Sequence, residues 1–270
     1  GHWLAAVTGS NFAPRALHLI EVSSQRIVQS LPLGDSFVGV AFSTDGSRLY
    51  VGGGQDQNLK RFRLVDKSFV EDAPIPLKGA PSGLALSGDL ALVALNQSHE
   101  LAVVNLVDQS VQRIPVGSYP YTVVADKTRA WVSNWGGRKP GPNDKTDGVF
   151  PVVVDPRTGI PSTGTVSVID LAARKVISEI NTGLHPSAMA LDSKAYMLYV
   201  ANANSDSVSV IDTASNRVTA TIDARITPKA PLGSAPNALA LSQDGKTLYA
   251  ANGADNSVAV IDLKKRQARG

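Results

Sequence analysis

The sequence predicts an all-β fold, a β-propeller of four-stranded antiparallel blades. Three observations carry that prediction. Residues 198–212 form two short apolar runs around a polar, turn-forming cluster, and the pattern recurs at 248–262. Six anchor positions, Glu21, Arg63, Asn105, Asp170, Asp212 and Asp262, are spaced by 42, 42, 65, 42 and 50 residues, and the first five have an apolar residue six positions on. A proline or its equivalent opens a strand once per repeat. A period near 42 with several short strands per unit is the signature of propeller blades.

Strand A begins at Phe37, Pro81, Pro120, Pro186 and Pro236, five residues ahead of Phe42, Leu86, Ala125, Leu191 and Leu241. Proline is tolerated at the first residue of a strand, where no ladder donor is needed. The turns at 43–46 and 242–245 carry Asp-Gly, which supplies the positive φ of a tight hairpin. Strand B reads 49–51, 92–94, 130–132, 198–200 and 248–250. Strand C is the Val-x-Val-Ile-Asp type, and strand D the alternating run after it, as at 218–222. Residues 171–175 look helical by propensity, but the segment is too short to stand alone and falls in the C–D turn. The first unit opens on a B-type strand at 3–7 and lacks its A. The last has A, B and C, with the basic tail 264–269 where D belongs. The expectation is one propeller domain over 1–270, five to six blades, with an insertion at 136–163.

Composition narrows the functional classes. Of 270 residues 43% are apolar, enough for a real core, and no apolar run approaches the ~20 residues of a membrane-spanning helix. There is no cysteine, so disulfides and thiolate metal sites are excluded. Net charge is only +3, and its densest cluster is the C-terminal 264–269. A solvated tail explains that cluster. Nucleic-acid binding would need a basic face with stacking aromatics, and none lies nearby.

The repeat words Leu198-Tyr199-Val200-Ala201-Asn202, Ser207-Val208-Ser209-Val210-Ile211-Asp212-Thr213 and 242–252 resemble the YVTN-type β-propeller family, which includes YncE-like periplasmic proteins. Segments 133–140, 152–155, 183–191 and 228–241 look like the propeller part of bacterial proteins that join a YncE-like propeller to an alkaline-phosphatase-type phosphoesterase. The resemblance implies a seven-bladed ring, a chain truncated at its C-terminus, and a periplasmic or secreted location. It implies a hydrolase beyond Gly270, whose activity does not pass to this chain. Single-stranded nucleic-acid binding is a further, weaker implication.

In a propeller the D–A and B–C loops share one face. Here that face collects Asp35, Gln55, Asp56, Ser82, Asn96, His99, Tyr119, Tyr121, Asn134, Trp135, Arg138, Lys139, His185, Asn202, Asn204, Asp206, Asn237, Asn252 and Asp255. The candidate ligand-binding residues are His185, Trp135, Arg138, Asn134, Tyr119, Asn202 and Asn237. The insertion is the strongest departure from the repeat, and such loops often serve binding. Asn96, Asn134, Asn202 and Asn252 end strand B. Their recurrence favours a structural role, with asparagine tolerating left-handed φ at a turn. Asp170, Asp212 and Asp262 end strand C as Asx-turn acceptors. Trp131 and Tyr199 are blade-packing residues, whereas Trp135 falls outside the repeat pattern and could stack on a ligand or on the insertion.

No cofactor is expected. Gly52-Gly53-Gly54 lacks the Lys-Ser/Thr and helix of a phosphate loop, and no two of the four histidines have metal-ligand spacing. His185 needs a partner carboxylate or nucleophile to act as a base, and Asp206 or Asp255 could serve only if folding brings them near. The reading is a non-catalytic binding or scaffold propeller for a protein domain or small ligand. The alternative is a lactonase-like hydrolase or lyase at the channel mouth.

Overall fold

A computed structural model describes residues 2–10, 13–227 and 229–269. It is an all-β propeller of six antiparallel sheets, five four-stranded and the first three-stranded. The chain packs as two compact units, Gly1–Arg113 and Ile114–Gly270.

The first unit holds three blades. Blade 1 is Trp3–Ser10, Ala13–Glu21 and Arg26–Pro32, without an A strand, as its sequence implies. Blade 2 is Val40–Phe42, Arg48–Gly52, Asn58–Val65 and Ser68–Pro76. Its A strand starts three residues later than expected, because the Phe37 N–H bonds to the Gly52 carbonyl and Gly39 passes against the backbone of Ser82 and Leu84. Blade 3 is Pro81–Ser87, Leu90–Leu95, Glu100–Asn105 and Val111–Pro115, the last running across the unit boundary. Core layers form between successive sheets. Leu17, Leu19, Leu49, Val51, Phe62 and Phe69 fill the first, and Tyr50, Leu59, Ile75, Leu84, Val93 and Val104 the second.

The second unit repeats the scheme. Blade 4 is Ser118–Ala125, Arg129–Gly137, Thr165–Asp170 and Lys175–Asn181. Blade 5 is Pro186–Asp192, Met197–Asn202, Ser207–Asp212 and Arg217–Asp223. Blade 6 is Pro236–Leu241, Thr247–Asn252, Ser257–Asp262 and Gln267–Ala268. The last strand corrects the sequence reading. The basic tail is not merely solvated: Gln267 and Ala268 pair with Asp262 and Ile261, and the Arg269 guanidinium bonds the Asp262 carboxylate. Trp131 is fully buried and Tyr199 nearly so, each in a core layer between neighbouring blades.

Turn chemistry follows the anchors. Asp170 Oδ1 accepts the N–H groups of Ala172 and Ala173, and Asp212 and Asp262 repeat the arrangement. Four residues past these anchors Arg174, Asn216 and Arg266 turn to positive φ. Each A strand after its proline carries a bulge, between Pro81 and Leu84, Pro120 and Val123, Pro186 and Met189, and Pro236 and Ala238. A bulge leaves ladder groups unpaired and re-aims side chains. In blade 4 the Thr122 N–H freed this way bonds the Ser133 hydroxyl at 3.1 Å, and that hydroxyl donates to the Ser187 carbonyl of blade 5 at 2.7 Å. Ser187 in turn donates to the Pro236 carbonyl of blade 6 at 3.1 Å. Among the described residues no helix is long and apolar enough to cross a membrane.

Candidate functional site

The site is built on the D–A loops of blades 4 and 5, the end of strand B of blade 4, and the insertion. The residue before each strand-A proline adopts a left-handed backbone: Ala80 (φ 56°), Tyr119 (54°), His185 (55°) and Ala235 (51°). That region costs an L-residue roughly 1 kcal/mol or more, so the surrounding bonds must impose it. They do so in blade 5, where Ala203 and Asn204 donate N–H groups to the carbonyls of His185 and Leu184. Blade 6 repeats this with Gly253 and Ala254 on Ala235 and Ser234.

The imposed turn brings His185 onto Trp135. The two rings stack at 4.5 Å with a 29° interplanar angle, and Tyr121 stacks on the same indole at 3.9 Å and 26°. Two rings this close cannot share one face, so Tyr121 and His185 sandwich Trp135. The expectation that Trp135 stacks on a ligand or the insertion is therefore corrected: both its faces are taken by the protein. Burial pushes the His185 imidazole below its ordinary range and the Tyr121 phenol above its own.

Two clefts flank the stack. One, of about 390 Å³, is lined by Tyr119, Trp135, Gly136, Asp147, Phe150, Val152, Pro161, Leu184, His185 and Asn204. The other, of about 430 Å³, is lined by Tyr121, Trp135, His185, Ser187, Ala203, Asn204, Ala235, Asn237, Gly253 and Ala254. The insertion closes the outer wall of the first. It is tied down by Ser118 Oγ on the Pro151 carbonyl at 2.7 Å, Thr163 Oγ1 on the Gly136 carbonyl at 3.2 Å, and bridges pairing Thr146 with Val153 and Val154 with Pro161. Within it, Val152, Val153 and Val154 are buried. Phe150 is presented at the rim, its ring meeting Tyr119 at 6.1 Å and 71°. Burial, and secondarily the Asp147 charge, raise the Tyr119 phenol.

Of the candidate ligand residues, Tyr119, Trp135, His185 and Asn237 come together at these clefts. Asn134 and Asn202 do not: both are fully buried. The asparagine series is structural, but by another mechanism than a left-handed turn. Asn202 is extended, with φ −108°. Its Nδ2 donates to the hydroxyls of Ser207 (3.1 Å) and Ser209 (2.9 Å) on strand C. Asn134 does the same to Thr165 and Ser167. Where Ala259 replaces the second hydroxyl, Asn252 bonds the Ala224 carbonyl instead.

Arg138 also stands apart. It forms a two-pronged ion pair with Asp144 at 2.5 and 2.7 Å and so serves the fold of the insertion. That pair and the Gly141 N–H hold the Asp144 carboxyl at about 2. Among the described residues neither carboxylate considered as a partner is hydrogen-bonded to His185. Asp206 is buried and accepts the N–H groups of Gly233 (2.6 Å) and Ala235 (3.0 Å), while Asp255 is bonded to Ser257. Sequence reasoning missed Asp147, Phe150, Val152, Pro161 and Leu184. The first four lie inside the insertion, which was flagged as a whole, but no repeat register assigns its residues a direction. Among the described residues no group of three or more His, Cys, Asp or Glu is placed to hold a metal.

Blades, loop face and cleft define a β-propeller with a ligand-sized aromatic recess. Comparison with known proteins places it among its likenesses. A profile of the methylamine dehydrogenase heavy chain (MADH) family matches residues 149–269, somewhat under half of the chain. Among solved structures, a chain of Kuenenia stuttgartiensis hydrazine synthase superposes with a TM-score of 0.67 at 17% identity, covering 93% of this chain and 71% of that one. Such a likeness concerns the fold alone. A search of curated protein sequences gives no match.

Proposed function

We propose that this chain is a non-catalytic binding propeller, taking a small ligand or a partner's side chain at the aromatic cleft of blades 4 and 5. One observation carries the reading: a cleft of about 390 Å³ walled by Tyr119, Trp135, Phe150 and His185, apolar on most of its surface and braced by the inserted loop. Mostly apolar clefts of this size with a few polar groups are the usual form of ligand sites. The engagement of Asp206 and Asp255 elsewhere supports binding over catalysis, since His185 then lacks an orienting carboxylate. No observation at the cleft favours the hydrolase or lyase alternative. The heavy-chain description of the profile match is that of a subunit, and favours work within an assembly. The YVTN/YncE-like resemblance adds a periplasmic or secreted setting to this reading.

Ligand-observed NMR tests it. A panel of small aromatic, aliphatic, sugar and ammonium compounds is screened against the chain and against Phe150→Ala, a change at an exposed ring. Binding by at least one class that weakens in the variant supports the reading. No binding by any class, or equal binding to both proteins, overturns it.

A further inference from the structure

We propose that the second cleft, between the loops of blades 5 and 6, is a separate binding site for an uncharged, hydroxyl-rich ligand of the sugar or polyol class, held by the amides of Asn204 and Asn237 and the imidazole of His185. This cleft, of about 430 Å³, has no residue of the insertion in its lining. The inference is independent of what the insertion cleft binds.

The cleft exists because blade 6 departs from the repeat. Ala235 occupies the left-handed position that His185 holds in blade 5. Ala254 makes the main-chain bond that Asn204 makes there. Two methyl groups thus face an imidazole and an amide, and the room they leave is the cleft. Its volume is that of an ordinary small-molecule site. The residue after the strand-A proline departs as well. In blades 3 and 5 it is Ser82 or Ser187, whose hydroxyl is bonded to main-chain carbonyls. In blade 6 it is Asn237. Its amide makes no hydrogen bond among the described residues but is seated against Gly253, where a Cβ would come 2.3 Å from Nδ2. Packing therefore positions a donor and an acceptor that the fold does not use.

The lining selects the ligand class. No lysine, arginine, aspartate or glutamate borders the cleft. A charged ligand would exchange its hydration for groups that carry no counter-charge, which is costly. A wholly apolar ligand would strip the amides of Asn204 and Asn237 of water and give no bond in return. An amide and an uncharged imidazole each offer both a donor and an acceptor. Hydroxyl groups do the same, so a ring or chain of them pairs with this set in either sense. His185 meets Trp135 through its ring face, and its nitrogens have no hydrogen bond among the described residues. The side chain of Asn204 likewise has none.

Saturation-transfer NMR on the intact chain tests this at about pH 8, where His185 is uncharged because burial lowers a value that is ordinarily near 6.5. Glucose, galactose, mannose, sorbitol and myo-inositol are the neutral probes. Glucuronate and N-methylglucamine are their charged counterparts, and cyclohexanol is the single-hydroxyl control. At least one neutral probe should bind, roughly three- to tenfold more tightly than the charged compounds or cyclohexanol. Asn237→Ala should weaken it by a similar factor. Asn237 lines this cleft and not the other, and Phe150 the reverse, so the two positions separate the sites. Because the Asn237 amide bonds nothing in the fold, Asn237→Ala should melt at the parent temperature. No binding by any neutral probe, equal binding by the charged compounds, or an Asn237→Ala variant that binds as the parent does overturns the proposal. So does a melt lowered by Asn237→Ala, which would make the amide a structural one. Sugar binding lost in Phe150→Ala but kept in Asn237→Ala moves the ligand to the insertion cleft; this inference then falls while the binding propeller stands.

Discussion

Replacing Ser133 by alanine probes the joint on which the site depends. The Ser133 hydroxyl is buried and makes two contacts. It accepts the Thr122 N–H at 3.1 Å, a donor that the strand-A bulge leaves outside the ladder, and donates to the Ser187 carbonyl at 2.7 Å. Thr122 follows Tyr121, and Ser187 lies two residues after His185, so one hydroxyl sets the spacing of the two rings that enclose Trp135. Each lost bond costs about 1 kcal/mol, and stranding a buried backbone group adds about 1–3 kcal/mol. The sum is about 3–5 kcal/mol, a large fraction of the ~5–15 kcal/mol that holds a typical domain together. Urea unfolding followed by tryptophan fluorescence measures it, since Trp131 and Trp135 both report on the second unit. With a slope of about 3 kcal/mol/M the midpoint should fall by about 1–2 M. Trp135 emission should change before the main transition as the stack loosens. A loss below about 0.5 kcal/mol with unchanged emission would refute the reasoning and show that the ladder alone sets the register.

Three further outcomes follow from the same geometry. Burial lowers the His185 pKa in the folded chain, so the unfolded chain takes up the proton first on acidification. Stability therefore falls as pH drops from the ordinary histidine value near 6.5 toward the folded one, and His185→Gln should flatten that part of the urea-midpoint profile; a steeper profile in the variant would point to imidazolium stacking on Trp135 instead. Gly136→Ala would set a Cβ 2.6 Å from Val152 Cγ1 and 3.1 Å from the Tyr119 ring, costing about 1–3 kcal/mol in thermal stability and reducing ligand binding. Asp206→Ala removes the acceptor of two loop N–H groups and should cost about 2–4 kcal/mol, while Asp206→Asn, which keeps one good acceptor, should cost less; equal melts for the two would count against the bonding scheme.

Much of the fold is legible in the sequence, because it is written locally and several times over. The Asp170, Asp212 and Asp262 anchors work through their own turns, and alternating apolar residues put Trp131 and Tyr199 into cores. The site is less legible because it depends on contacts across loops. Nothing near Trp135 in the chain announces that Tyr121 and His185 will cover it. The Ser133 link depends on a bulge that periodicity does not reveal. The asparagines are an intermediate case. Their partners are visible as alternating hydroxyls, Thr165 and Ser167 or Ser207 and Ser209, on one face of strand C. That cue is lost when each asparagine is considered only with the turn that follows it. In the insertion, Asp147 and Phe150 are placed by an Asx turn outside any repeat, so sequence could mark the region but not the residues.

The left-handed position ahead of each strand-A proline has a consequence for how this scaffold can be altered. Ala80, Tyr119, His185 and Ala235 occupy the same backbone shape with three different side chains. At Ala80, His185 and Ala235 the shape is held by main-chain bonds from the facing loop, so it tolerates a methyl or an imidazole alike. Each such repeat thus has one addressable position, where a single codon changes what the loop face offers while the sheets beneath stay as they are. Placing a tyrosine or histidine at Ala235 would rewrite the chemistry of the adjoining cleft without asking the blade to refold.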